Sequence, residues 1–250
     1  AVKEYALANN LTLLQPTNLK DENFLTELKA LNANLQIVVA FRMLPKVVWE
    51  MPSLGTFNLH ASLLPNYRGA APINWAIING ETKTGVTTFF IDDKIDTGAM
   101  ILNSEINIEP EETAGQLHDR LMHLGSTTVI DTLKVIENGN VTTTIQEDND
   151  DIKTAYKLNK ENCKIDWTKS GAEINNLIRG LSPYPASWCF LKDQNEELNV
   201  KIYEAKLVSE SHSYEIGKLI STKKEIKIAI KDGFIQLLSL QFPGKKRMLA

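Results

Sequence analysis

Apolar and polar positions change rhythm several times along this chain of 250 residues, and each change marks an element. Residues 1–9 have helical spacing. Residues 11–14, Leu-Thr-Leu-Leu, read as a short strand stopped by Pro16. Asp21 is placed to cap a helix running to Leu31, with Phe24, Leu25, Leu28 and Leu31 as its apolar stripe. Residues 35–41 are almost continuously apolar and rich in β-branched side chains, the pattern of a parallel strand covered on both faces. Pro45 opens a short helix to Trp49. The run Phe57, Asn58, Leu59, His60 then alternates, which sets Asn58 and His60 on one face of a strand. Another helix starts at Pro72 and stops before Gly80. Strands are expected at residues 85–91 and 100–108. Thr113 caps a long helix ending at Asn138 and Gly139, with Leu117, Leu121, Leu124, Ile130, Leu133 and Ile136 turned inward. Strand and helix alternate throughout, so this portion is predicted to be α/β with a parallel sheet.

The rhythm shifts after Gly139. Residues 146–151 are polar and acidic, the composition of an exposed linker. A helix at 170–181, apolar at Ile174, Leu177, Ile178 and Leu181, is broken by Ser182-Pro183-Tyr184-Pro185. Five short β-like runs follow, at 188–191, 200–207, 217–221, 226–230 and 235–240, and they suggest a small barrel. The expected division is a first domain at 1–150, a linker at 151–165 and a second domain at 166–250.

Charge sharpens this division. The chain carries −4 overall, yet residues 199–250 hold 10 basic against 5 acidic residues, a net of +5, which leaves −9 for the rest. A basic tail on an acidic body suits an anionic partner, although a solvated basic surface has the same composition. Cys163 and Cys189 match no metal or redox spacing and are expected to be reduced thiols. The first ten residues lack the apolar core of a secretion signal, and no apolar run is long enough to suggest a membrane span.

Chemistry concentrates at residues 58–72, NLHASLLPNYRGAAP. An Asn amide can donate to a developing oxyanion, and a His beside it can donate, accept or carry a proton near neutral pH. Ser62, Leu63, Leu64 and Pro65 continue from them with an apolar, backbone-stiffened turn, and small residues then surround Arg68. A lone His is more often structural, so the pair Asn58 and His60 is what raises the catalytic reading. A metal centre is not expected, because His118 and His123 are five residues apart on a predicted helix and do not share a face well. Neither G-x-x-x-x-G-K-[ST] nor G-x-G-x-x-G occurs, which argues against nucleotide phosphate chemistry.

The stretch NLHASLLPNYRGAAP, the loop IDDKIDTG at 91–98 and the ending FPGKKRM at 242–248 together resemble the folate-dependent formyltransferases, most closely those that act on methionyl-tRNA. The resemblance implies a Rossmann-like N-terminal domain, with its first strand and helix missing from this chain, and an OB-like C-terminal barrel. It implies transfer of formyl from 10-formyltetrahydrofolate to the α-amine of initiator methionyl-tRNA, by a cytoplasmic monomer without metal or membrane. By the same resemblance Asn58, His60 and Asp96 would be catalytic. A carboxylate beside an imidazole favours its charged form. Ser62, Leu63, Leu64, Pro65, Met43, Leu44, Asp92 and Asp93 would bound the folate pocket, and Arg42 departs from the glycine usual near that edge. Arg68, Lys245, Lys246 and Arg247 would meet tRNA. An amino sugar nucleotide as acceptor, or a fragment that binds tRNA or folate without turnover, remains open from the residues alone.

Overall fold

The computed structural model describes residues 2–39, 43–139, 141–193 and 196–250. Ala40 and Phe41, the end of the apolar run expected as a strand, lie outside the described residues, as does Arg42. In chain order the first unit contains α1 (Val2–Ala8), α2 (Glu22–Ala30), β1 (Gln36–Val39), α3 (Lys46–Trp49), β2 (Thr56–His60), β3 (Arg68–Gly69), α4 (Pro72–Ile78), β4 (Lys83–Phe90), β5 (Met100–Asn107) and α5 (Ala114–Glu137). Next come β6 (Thr154–Ala155), α6 (Gly171–Leu181), β7 (Ser187–Asp193), β8 (Glu196–Val208), β9 (Leu219–Ser221), β10 (Ile226–Ile230), β11 (Gly233–Gln241) and β12 (Met248–Leu249).

The first sheet has the order β1-β2-β4-β5. β1 and β2 are parallel, and β4 and β5 extend them antiparallel into a mixed sheet. The helix signals act as expected. Asp21 caps α2 by accepting from the Phe24 N–H, and Thr113 and Gln116 close a capping box on α5. Each such cap satisfies amide groups that the helix itself cannot.

α5 lies on the sheet through a buried stripe of Leu117, Leu121, Gly125, Thr128, Thr132 and Ile136, with Gly125 against Leu59 of β2. Half of that stripe is not what hydrophobicity selects. Thr132 and Thr88 share a buried hydrogen bond of 2.8 Å, and Thr128 donates to Ser104 at 2.9 Å. Ile130, expected inside, is instead 52% exposed and borders the large cavity described below.

Three other expectations fail. Residues 11–14 form no strand and have no ladder partner among the described residues. β1 is not covered on both faces, because Ile37 and Val39 stand exposed on one of them. Leu31 is the C-cap residue of α2 rather than part of its stripe, and it is exposed.

The second unit is a curled antiparallel sheet of order β7-β8-β11-β10-β9, with β12 on β11, forming half a barrel. α6 covers its concave side: Ile174 and Ile178 pack with Ile202, Ile230 and Ile235. The other side of α6 rests on α4, where Asn74 donates to the Gly180 carbonyl at 2.7 Å. α6 thus joins the two units. Between them, Thr154 and Ala155 pair with Arg68 and Gly69, and Cys163 and Ile165 are buried with the second unit. No helix among the described residues is long and apolar enough to cross a membrane.

Ile178→Ala tests the role of α6. It removes a buried side chain that cannot be replaced by collapse of a sheet, so a loss of roughly 2–5 kcal/mol is expected in urea unfolding. A loss below about 1 kcal/mol would mean that α6 is not a principal part of this core.

Candidate active site

Side chains two residues apart on β2 point the same way, and Asn58 and His60 accordingly both border one cavity of 1280 Å³. β4 runs antiparallel beside β2 and ends at Phe90, opposite Phe57, so the loop that follows it, residues 91–99, leaves beside the start of β2 and has to fold back toward His60. There Asp96 reaches His60, with 3.8 Å between Oδ2 and Nδ1. Both side chains are nearly buried. Three residues spread over 39 positions of sequence are therefore brought to one wall.

Each is held differently. His60 Nε2 lies 2.8 Å from the Tyr67 carbonyl oxygen, which can only accept, so this nitrogen carries a proton and donates. Nδ1, facing Asp96, is left to exchange one. Asp96 Oδ2 accepts from the Gly69 N–H at 2.9 Å. Gly69 must be glycine: its φ is +121°, and a Cβ would lie 2.5 Å from the Ala155 carbonyl oxygen. The Asn58 amide oxygen is buried and has no hydrogen-bond partner among the described residues. Unmet bonds of this kind are uncommon in folded interiors and point to a ligand.

The acidic run after residue 145 does not behave as an exposed linker at its first position. Gln146 is buried, and its Nε2 donates to the Asp96 carbonyl at 2.9 Å and the Gly98 carbonyl at 2.8 Å. Its Oε1 accepts from Arg68 Nε at 2.9 Å, and Arg68 also pairs with Asp148. The Arg68 hydrogen bond and charge hold the Asp148 carboxyl below its ordinary range. Sequence reading passes over Gln146 because an amide beside four acids resembles solvated surface. Its only signal is its place at the start of the run.

A second polar cluster fixes the turn that carries the His60 acceptor. Tyr67 adopts φ +63°, its backbone N–H donates to the Lys153 carbonyl, and its hydroxyl donates to Glu81. Burial, reinforced by that Glu81 contact, pushes the Tyr67 hydroxyl well above its ordinary pKa. Burial of Glu81 alone would raise its carboxyl, but hydrogen bonds from Lys153 and Tyr67 with the Lys153 charge outweigh it and leave the pKa lowered.

The remaining expected residues divide. Met43, Leu44, Asp92 and Asp93 border the cavity. Asp92 also accepts from the Lys94 N–H and the Thr97 hydroxyl, which shapes the loop. Ser62, Leu63, Leu64 and Pro65 are absent from the cavity wall. Ser62 is fully buried and donates to the Asn66 carbonyl at 2.7 Å, while Thr87 donates to the Ser62 carbonyl and accepts from the Leu64 N–H. This turn supports the site from behind. In the second unit, Arg247 donates to Ser239 and pairs with Glu204 over the Tyr203 ring, whereas Lys245 and Lys246 are exposed.

The formyl transferase family profile matches residues 1–133, and the profile for the formyl transferase C-terminal domain matches 157–250. The chain is 92% identical over 248 residues to the methionyl-tRNA formyltransferase of Flavobacterium johnsoniae, covering 99% of this chain and 79% of that one. It is 51% identical over 252 residues to the methionyl-tRNA formyltransferase of Bacteroides thetaiotaomicron, covering 99% and 78%. Among solved structures, an N-formyltransferase from Helicobacter canadensis, in complex with folinic acid and dTDP-3-aminofucose, superposes with a TM-score of 0.69 at 24% identity, covering 95% of this chain and 82% of that one. HypX from Aquifex aeolicus, in complex with tetrahydrofolic acid, does so with a TM-score of 0.69 at 18% identity, covering 91% and 39%. At such identities these two likenesses concern the fold. The sequence matches, made over nearly the whole chain, place it in the formyl transferase family, among the methionyl-tRNA formyltransferases.

Proposed function

We propose that this chain transfers the formyl group of 10-formyltetrahydrofolate to the α-amine of initiator methionyl-tRNA, with Asn58, His60 and Asp96 meeting the reacting atoms. The observation that carries the reading is the facing pair His60 and Asp96 beside an Asn58 amide whose buried oxygen has no partner among the described residues. Folate enters as a substrate. The cavity suits a flat, partly apolar molecule of its kind, since Met43, Leu44, Val129 and Ile130 border it together with the polar groups.

In the reaction the amine nitrogen attacks the formyl carbon, a C–N bond forms, and negative charge develops on the formyl oxygen. Asn58 Nδ2 donates to that oxygen. Donors already oriented toward developing charge need no reorganisation during the step, which is why they lower its barrier. As the bond from the same carbon to folate N10 breaks, the proton released by the amine returns to N10. His60 Nδ1 and Asp96 are the groups suited to relay it. Lys245 and Lys246 are suited to tRNA phosphates, while Arg247 is committed to Glu204 and Ser239.

The direct test offers the full-length protein 10-formyltetrahydrofolate with either methionyl initiator tRNA or an amino sugar nucleotide. Formylmethionyl-tRNA should form and the sugar should remain unmodified; the opposite outcome would overturn the choice of acceptor. Asn58→Ala should lower kcat by roughly 10²–10³, the effect of removing one oriented donor. A folded variant slowed by less than about tenfold would remove Asn58 from the mechanism.

Lys245→Ala combined with Lys246→Ala should raise KM for tRNA and leave KM for folate unchanged. The salt dependence of tRNA binding should flatten by roughly one unit of log–log slope for each phosphate no longer neutralised. An unaltered slope would return both lysines to ordinary solvated surface.

A further inference from the structure

Asp96 has φ +55°, in the left-handed region that side-chain-bearing residues enter only at a cost. Conformations of this kind persist where the surroundings impose them. Two residues later, Gly98 lies so close to β4 that a Cβ there would sit 1.6 Å from the Phe90 carbonyl oxygen. The loop is therefore pressed into one shape, and its inward carbonyls need partners that no strand or helix supplies.

Gln146 is that partner. Its amide has one acceptor and two N–H donors, and all three are used: Oε1 for Arg68, Nε2 for the carbonyls of Asp96 and Gly98. The orientation of the amide follows from its partners, because Arg68 Nε can only donate and a carbonyl can only accept. Arg68 is itself braced by Asp148, and its neighbour Gly69 supplies the N–H that holds the Asp96 carboxylate. Asp96 is thus gripped at two points, backbone by Gln146 and carboxylate by the residue after Arg68.

We propose that Gln146 and Arg68 are positioning residues for Asp96, and that the Asp148–Arg68–Gln146 chain sets the geometry of the proton relay rather than contacting tRNA or folate. This inference rests on the reading of Asp96 as catalytic. Displacement of a reacting group by about 1 Å can lower a rate on the order of 10²-fold.

Gln146→Glu is the sharpest variant. It keeps the size of the side chain and an acceptor for Arg68, but replaces both donors to the Asp96 and Gly98 carbonyls by a carboxylate oxygen. In single-turnover formyl transfer by the full-length protein, it should slow the step roughly 10- to 100-fold. KM for folate and for tRNA should stay within about twofold, a split that general loss of structure does not produce. In an Asp96→Asn background Gln146→Glu should add no further loss, because the group it positions is already removed.

A Gln146→Glu rate within about twofold of wild type, or the same fold-loss in both backgrounds, would overturn the proposal. If Asp96→Asn itself keeps the wild-type rate, the catalytic reading of Asp96 falls first and this one with it, and the two failures are told apart by that single measurement. Should Gln146→Glu not fold, Arg68→Lys decides by the same comparison of backgrounds, since an ammonium cannot hold Gln146 and Asp148 in the fork geometry of a guanidinium.

Discussion

Irregular backbone can border a cavity only if its N–H and C=O groups find partners away from water. That constraint governs this site. β2 brings Asn58 and His60 to the cavity as part of a regular ladder, and needs no help. Asp96 and Tyr67 come from turns with left-handed backbone, and each turn is closed by residues from the segment that leads to the second unit. Gln146 answers the carbonyls around Asp96; Lys153 answers the Tyr67 N–H. Without those bonds each unsatisfied polar group in the two turns would cost on the order of 1–3 kcal/mol.

What could be read from the residues follows the same line between regular and irregular backbone. Caps at Asp21 and Thr113 announced their helices because the chemistry of a cap is local. The alternation at 57–60 announced β2, and with it the face shared by Asn58 and His60. The stripe of α5 was only half legible: Leu117 and Leu121 stood out, but Gly125 is buried because Leu59 packs directly against it, and Thr132 because Thr88 bonds to it. Neither reason is visible without the partner. Gln146 was hidden for a related cause. Composition ranks a glutamine among acids as surface, while its burial depends on two carbonyls and a guanidinium from 48 to 78 positions away.

The turn at residues 62–65 carries a different lesson. Its apolar residues and proline suggested a pocket wall, yet Ser62 and Leu64 are buried behind the site, tied to Thr87. Apolar character alone does not distinguish a wall that a ligand touches from the packing that keeps such a wall in place. The same distinction bears on Arg68, whose charge suggested a partner outside the protein and whose guanidinium bonds Gln146 and Asp148 within it, in contrast to the exposed Lys245 and Lys246.

The family profiles meet this chain at 1–133 and 157–250, and the stretch between belongs to neither. That stretch holds Gln146, Asp148, Lys153 and the Ala155 carbonyl against which Gly69 is fitted. Its interactions reach back into the first unit, so inheritance of the two units is not modular at the profile boundary. A recombinant of two relatives joined near residue 134 would take its turns from one parent and their closures from the other. A join after residue 156 would keep Arg68 with Gln146 and Tyr67 with Lys153. The natural unit of exchange in this chain therefore runs past the end of its sheet, far enough to include the residues that close the turns at Tyr67 and Asp96.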